Sequence, residues 1–143
     1  MPFDNPLLRV VLFDEKHDRR SVVRGVVDQA IGAESVVAQA SSLVEAVHAV
    51  ASKSANAIVL EIQMTGGRGI EAISDLRAAY PSLTIAVCSF NNDRTTRLEA
   101  NLAGADIYLV KPVGVEEIRS LWPVVQAKEQ PLVRSNPSFG MLP

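Results

Sequence analysis

AIVLEIQMTGGRG, residues 57–69, opens as an apolar run and carries a carboxylate, Glu61, where that run should be ending. Successive apolar residues with no polar alternation fit a central parallel strand covered on both faces, which predicts a strand over Ala57 to Ile62. An ionised side chain at the tip of such a strand is costly unless something pairs with it. Glu61 is therefore either a structural residue with a partner or part of a site. The TGGRG that follows reads as a turn. The helical pattern after it, from about Gly69 to Tyr80, stops before Pro81.

Outward from this unit, short apolar runs alternate with longer helical patterns, the signature of βα units around a parallel sheet. Leu8 to Phe13 (LRVVLF) is a first strand. A helix from about Asp18 to Ile31 follows, with Val22, Val23, Val26, Val27, Ala30 and Ile31 on one face and Gly32 ending it. Ser35 to Ala40 (SVVAQA) alternates like a half-buried strand, and Ser42 with Glu45 forms a capping box for a helix reaching about Ser52. Thr84 to Cys88 is the fourth strand, with a helix from about Asp93 to Leu102 closed by Gly104. Ile107 to Val110 is the fifth, and its helix, from about Val115 to Lys128, should be kinked or shortened by Pro123. Residues 1–7 read as a loose arm, 8–128 as the domain, and 129–143, with three prolines and no periodicity, as a flexible tail. There is no internal repeat.

A chain of 143 residues suits one domain with a proper core. With 48% hydrophobic and 21% charged residues and a net charge of -2, it fits an ordinary soluble domain and not a disordered chain or a nucleic-acid coat. The single cysteine, Cys88, has no internal disulfide partner and lies in TIAVC, where a thiol behaves as a small buried hydrophobe. The N-terminus lacks the pattern of a signal peptide, and no run approaches the ~20 apolar residues of a membrane span. A cytoplasmic protein with no membrane partner is expected.

In an open parallel sheet, functional residues collect at the carboxyl ends of the strands. There this chain places Asp14 and Glu15 (strand one), Glu61 (strand three), Ser89 (strand four), and Lys111 followed by Pro112 (strand five). Any one of them alone would pass for a solvated loop residue, a helix cap or a surface charge. Together they put three acids, a hydroxyl and a lysine on one edge. Clustered carboxylates repel, which raises their pKa values or recruits a cation, and hard oxygen ligands suit Mg²⁺.

With these residues in place, the chain resembles the receiver domain of two-component response regulators, over roughly Leu8 to Lys128. The likeness is carried by RVVLFDE, IVLEIQMTGGRGIEAI, IAVCSF and, most specifically, GADIYLVKPV. It implies an α/β, flavodoxin-like (βα)5 three-layer sandwich with a parallel five-stranded sheet of order 2-1-3-4-5. The family accepts a phosphoryl group from a sensor kinase's histidine onto an aspartate, with Mg²⁺ alongside. By the same likeness, Asp14 and Glu15 match the acidic metal-holding pair, with Glu15 the direct ligand, and Gln63 would offer its backbone carbonyl to the metal. Ser89 matches the switch hydroxyl, Tyr108 the aromatic that swings with it, Lys111 the lysine that neutralises the phosphoryl group, and Pro112 the proline commonly joined to it by a cis bond. Gly69 matches the glycine opening the third helix.

Glu61 stands at the phosphoacceptor position, where the family has aspartate. The extra methylene carries the carboxylate roughly 1 Å or more beyond the usual place, and misplacement on that scale costs about a hundredfold in a positioned transfer. Thr65 replaces the usual proline of that loop and Arg68 a common acidic residue. Two outcomes are open. Either Glu61 reaches Lys111 and pairs with it, holding a fixed state, with Mg²⁺ binding weak or absent; or the chain is a Mg²⁺-dependent receiver that still takes phosphate from a sensor histidine kinase. The first is favoured.

A flavin module of this fold needs a hydroxyl- and glycine-rich phosphate loop after the first strand, whereas this chain has DEKHDRR, whose acids repel a phosphate. A hydrolase is weak, since neither His17 nor His48 sits at a strand end beside a nucleophile, and a phosphatase-like site using Asp14 is opposed by GADIYLVKP. The chain is not expected to be an enzyme; no catalytic residue is assigned. No helix-turn-helix pattern follows Lys128, so a stand-alone receiver is expected, with no direct nucleic-acid contact. It would act on a sensor histidine kinase or other signalling protein, or as a homodimer through the helix four, strand five and helix five face. That face includes Arg97, Tyr108 and Trp122, the tryptophan being either a partner anchor or a residue packed on the sheet.

Overall fold

Three strands are buried along their whole length: Val10–Phe13 (β1), Ala57–Leu60 (β3) and Thr84–Ser89 (β4). They form the centre of a five-stranded parallel sheet of order β2-β1-β3-β4-β5, with Val36–Ala40 (β2) and Ile107–Val110 (β5) at its edges. The sheet is seen in a computed structural model that describes residues 8–129. The arm expected at 1–7 and, Glu129 apart, the tail expected at 129–143 lie outside the described residues.

Side-chain alternation along the strands explains why apolar runs without polar interruption were needed. Val11, Phe13, Ile58, Leu60, Ile85 and Val87 face a core shared with helices α2 (Leu43–Ser52), α3 (Gly69–Ala79) and α4 (Arg94–Ala103). Val10, Leu12, Ala57, Val59, Ala86 and Cys88 face the opposite core, shared with α1 (His17–Ile31), α5 (Val115–Arg119) and α6 (Leu121–Glu129). Three layers result, as the resemblance implied. Among the described residues, no helix is long and apolar enough to cross a membrane.

The structure corrects several expected boundaries. β1 starts at Val10 and not Leu8, although Leu8 is buried. β2 starts at Val36, because Ser35 closes a 3-10 turn (Ala33–Ser35) and its hydroxyl donates to the Ile31 carbonyl at 3.0 Å. β3 ends at Leu60, yet the Glu61 amide still donates to Phe13 at 3.0 Å. β4 runs one residue further than expected, to Ser89. The single last helix is two helices broken at Ser120. Pro123 has no N–H to give the Arg119 carbonyl and its ring would clash there. The break makes it the third residue of α6, where an amide has no intrahelical acceptor anyway.

The capping box at α2 is also displaced. Ser42 Oγ accepts from the Glu45 amide at 3.2 Å as expected, but the Glu45 carboxylate accepts from the Ser41 amide (2.8 Å) and hydroxyl (2.9 Å). Those bonds hold the Glu45 carboxyl below its ordinary pKa.

Candidate functional site

The last rungs of the sheet fix the backbone of the charged residues. Asp14 N–H donates to Ala40 (3.1 Å), Glu61 N–H to Phe13 (3.0 Å) and Lys111 N–H to Ser89 (2.8 Å). Asp14 and Glu61 thus project from adjacent strand ends, and Lys111 from the same edge beyond β4, by necessity of register. The peptide bond between Lys111 and Pro112 is cis.

Glu61 has a partner. Its Oε1 accepts from Lys111 Nζ at 2.9 Å and its Oε2 from the Gln63 amide at 2.9 Å, with side-chain exposures of 2% for Glu61 and 7% for Lys111. Lys111 Nζ lies 3.9 Å from Asp14 Oδ2 and 5.6 Å from the centre of the Phe90 ring. Of the two outcomes left open for Glu61, the side chain takes the pairing with Lys111.

Asp14 is held by a residue the sequence reading did not single out. Arg19, in the first turn of α1, donates from Nη2 to Asp14 Oδ1 at 2.6 Å and from Nε to both carboxylate oxygens at 3.1 and 3.2 Å. Its Nη2 also donates to the Gln63 carbonyl at 2.9 Å. The Lys16 amide adds a bond to Asp14 Oδ1 at 2.9 Å, and Arg20 Nη1 one to the Asp14 carbonyl at 2.5 Å. The bond to Asp14 raises the Arg19 pKa above its ordinary value. The pocket therefore pairs two carboxylates with two cations, Arg19 and Lys111, and a third cation, Arg20, sits on the Asp14 carbonyl. The only hint in the sequence was a cation five residues after Asp14, and a run such as DEKHDRR reads first as a solvated loop.

Glu15 does not join them. Its Oε1 accepts from the Thr65 amide at 2.8 Å, a bond that holds its carboxyl below the ordinary carboxylate range. The donor set implied for Mg²⁺ was Asp14, Glu15, Glu61 and the Gln63 carbonyl. Octahedral Mg²⁺ needs such oxygens to converge at about 2.1 Å. Here a guanidinium holds Asp14 and Gln63, a lysine holds Glu61, and a loop amide holds Glu15. Among the described residues, no three His, Cys, Asp or Glu side chains come together to hold a metal. The residues as arranged do not fit the ion.

Ser89 is buried and its Oγ accepts from the Asn91 amide at 3.2 Å. Tyr108 donates its hydroxyl to the Asn91 carbonyl at 2.6 Å, and its half-buried ring lies 5.1 Å from the Arg97 guanidinium carbon. Burial raises its phenol pKa. Asn91, also missed in the sequence, thus ties Ser89 to Tyr108. Arg97 and Tyr108 come together, whereas Trp122 packs partly against the core on the α1 side of the sheet, the side opposite the one Tyr108 packs on.

Cys88 lies inside the sheet, one residue before Ser89, and burial pushes its thiol from 9.0 up to about 11. At pH 8 the native thiol is expected to resist Ellman's reagent and to react only as the chain unfolds; fast native reaction would disprove the burial. Between pH 9 and 11 the unfolded chain sheds a proton that the native thiol keeps, so stability should fall as pH rises. Urea midpoints of the parent should therefore decline more steeply across that window than those of Cys88→Ala.

These features have known relatives. The family model for the response regulator receiver domain matches residues 10–122, and the chain belongs to that family. It is 34% identical over 119 residues to the DNA-binding transcriptional activator DevR/DosR of Mycobacterium tuberculosis, covering 80% of this chain and 53% of that protein. It is 32% identical over 84 residues to the KDP operon transcriptional regulatory protein KdpE of Escherichia coli, covering 59% of this chain and 37% of that protein. The chain thus spans about half or less of the length of these relatives. Its fold is shared with a LuxR-family two-component response regulator from Aurantimonas (TM-score 0.73, 23% identity, 83% of this chain and 85% of that one). It is shared also with the chemotaxis protein CheY4 of Vibrio cholerae (TM-score 0.69, 20% identity, 82% and 98%).

Proposed function

We propose that this chain is an atypical receiver that signals by protein contact, its phosphoacceptor position locked by the ion pair between Glu61 and Lys111. The carrying observation is that pair, 2.9 Å long and buried on both sides. Phosphoryl transfer needs the acceptor carboxylate free to attack phosphorus and the lysine free to meet the incoming oxygens. Each is engaged by the other, and Asp14, the nearest alternative acceptor, is engaged by Arg19.

The partner in this reading is a sensor histidine kinase or another signalling protein, met in the cytoplasm. The contacting face would be α4, β5 and α5, where Arg97 and Tyr108 meet, and it could serve a second copy of the chain as well. DNA binding belongs, by name, to one of the longer relatives; the output proposed for these residues is contact with protein.

The test is intact-mass spectrometry after incubation with a small acyl phosphate and Mg²⁺, with a receiver bearing the ordinary aspartate as control. The control should gain one phosphoryl group and this chain none. A phosphoryl group on this chain, mapped to Glu61 or Asp14, would overturn the reading.

A further inference from the structure

The acidic pocket contains an internal cation at the place where the family's likeness puts an ion. Arg19 reaches from the first turn of α1 and binds both the Asp14 carboxylate and the Gln63 carbonyl, which lie on different loops. We propose that the Arg19 guanidinium is a tethered substitute for the divalent cation, so that this pocket is neutralised and cross-braced without metal.

The geometry supports substitution over incidental contact. A planar fork donating to both oxygens of one carboxylate, with its remaining reach on a second oxygen ligand, does the joining that a metal does between two loops. The Asp14 side chain is 5% exposed and Arg19 28%, so the bond is sheltered and costs the ion its entry as well as its ligands. Glu15 has meanwhile turned to the Thr65 amide, removing the third oxygen. Arg19 and Lys111 then pair with Asp14 and Glu61 one for one, with Arg20 close by on the Asp14 carbonyl. Adding a doubly charged ion would leave the pocket over-neutralised and would require Arg19 to leave.

This deepens the proposed function and rests on its reading of the pocket as an altered receiver site. Its readout is ion binding and not phosphoryl transfer, so the two fail separately. The experiment is a Mn²⁺ titration of ¹⁵N-labelled protein, following paramagnetic broadening of the Lys16, Gln63 and Thr65 amides. The parent should show no saturable broadening at these amides, whereas Arg19→Gln should gain it, with Mn²⁺ affinity rising by roughly tenfold or more. Saturable, site-specific broadening in the parent would overturn the proposal, as would an Arg19→Gln protein that folds and binds no better. A second measurement needs no variant. The Arg19 Nε–H signal, held on Asp14, should be unmoved by Mg²⁺; its loss or shift on adding the ion would overturn the substitution.

Discussion

Lys111→Met should destabilise the domain by about 3–5 kcal/mol, because it keeps most of the lysine's apolar stem and leaves Glu61 buried without its cation. That is a large share of the roughly 5–15 kcal/mol by which a domain is stable, and in urea it should lower the midpoint by about 2 M. Asp14 keeps Arg19 in this variant, so the orphan is Glu61, whose one remaining bond is to the Gln63 amide. The double variant Lys111→Met with Glu61→Leu should recover most of the loss, since an apolar pair of similar volume has no charge to desolvate. A loss under about 1 kcal/mol for the single variant would mean that the pair does not hold the pocket. A double variant no more stable than the single would mean that Lys111 acts through something other than Glu61.

Gly69→Ala should be the other severe change. A Cβ at this position would press into the Ile62 carbonyl oxygen and sit 2.6 Å from the Ile62 carbonyl carbon. Those are backbone atoms and cannot swing aside. The expected cost is roughly 3 kcal/mol, at the upper end for overpacking. It should come with a displacement of Gln63, one residue on, and so weaken the bonds of that residue to both Arg19 and Glu61. Gly25→Ala is the control. Gly25 lies in the middle of α1 with nothing within 4 Å of an added Cβ, and the change there should stabilise by about 0.5–1 kcal/mol. Equal effects at the two glycines in urea unfolding would refute the close approach. An unshifted Gln63 amide in Gly69→Ala would refute its link to the site.

The contrast between these glycines shows how legible the site was. That Gly69 opens the third helix followed from its place as the last residue of TGGRG and from the family likeness; that a Cβ there would meet Ile62 follows only from the packing of α3 on the end of β3. Glu61 was marked by the cost of ending an apolar strand in a carboxylate, and its pairing with Lys111 was the favoured one of two outcomes left open. The expected metal pair dissolved, because Asp14 and Glu15, adjacent in sequence, point to different partners 5 and 50 residues away. The last helix was read as one, since its pattern is continuous through Ser120 and only the position of the break decides what Pro123 costs.

Apolar patterning was enough to order the strands and helices along the chain and to place the charged residues on one edge. Uninterrupted apolar runs require cover on both faces, and side-chain alternation together with chain direction sends Asp14, Glu61, Ser89 and Lys111 to the same ends of parallel strands. Tertiary structure alone decided which charge meets which. The bond from Arg19 to Gln63 spans 44 residues and the pair of Lys111 with Glu61 spans 50, and such long side chains choose among oxygens by distance and burial in three dimensions. Local patterns record where a side chain starts; the electrostatics of the assembled edge settle where it ends.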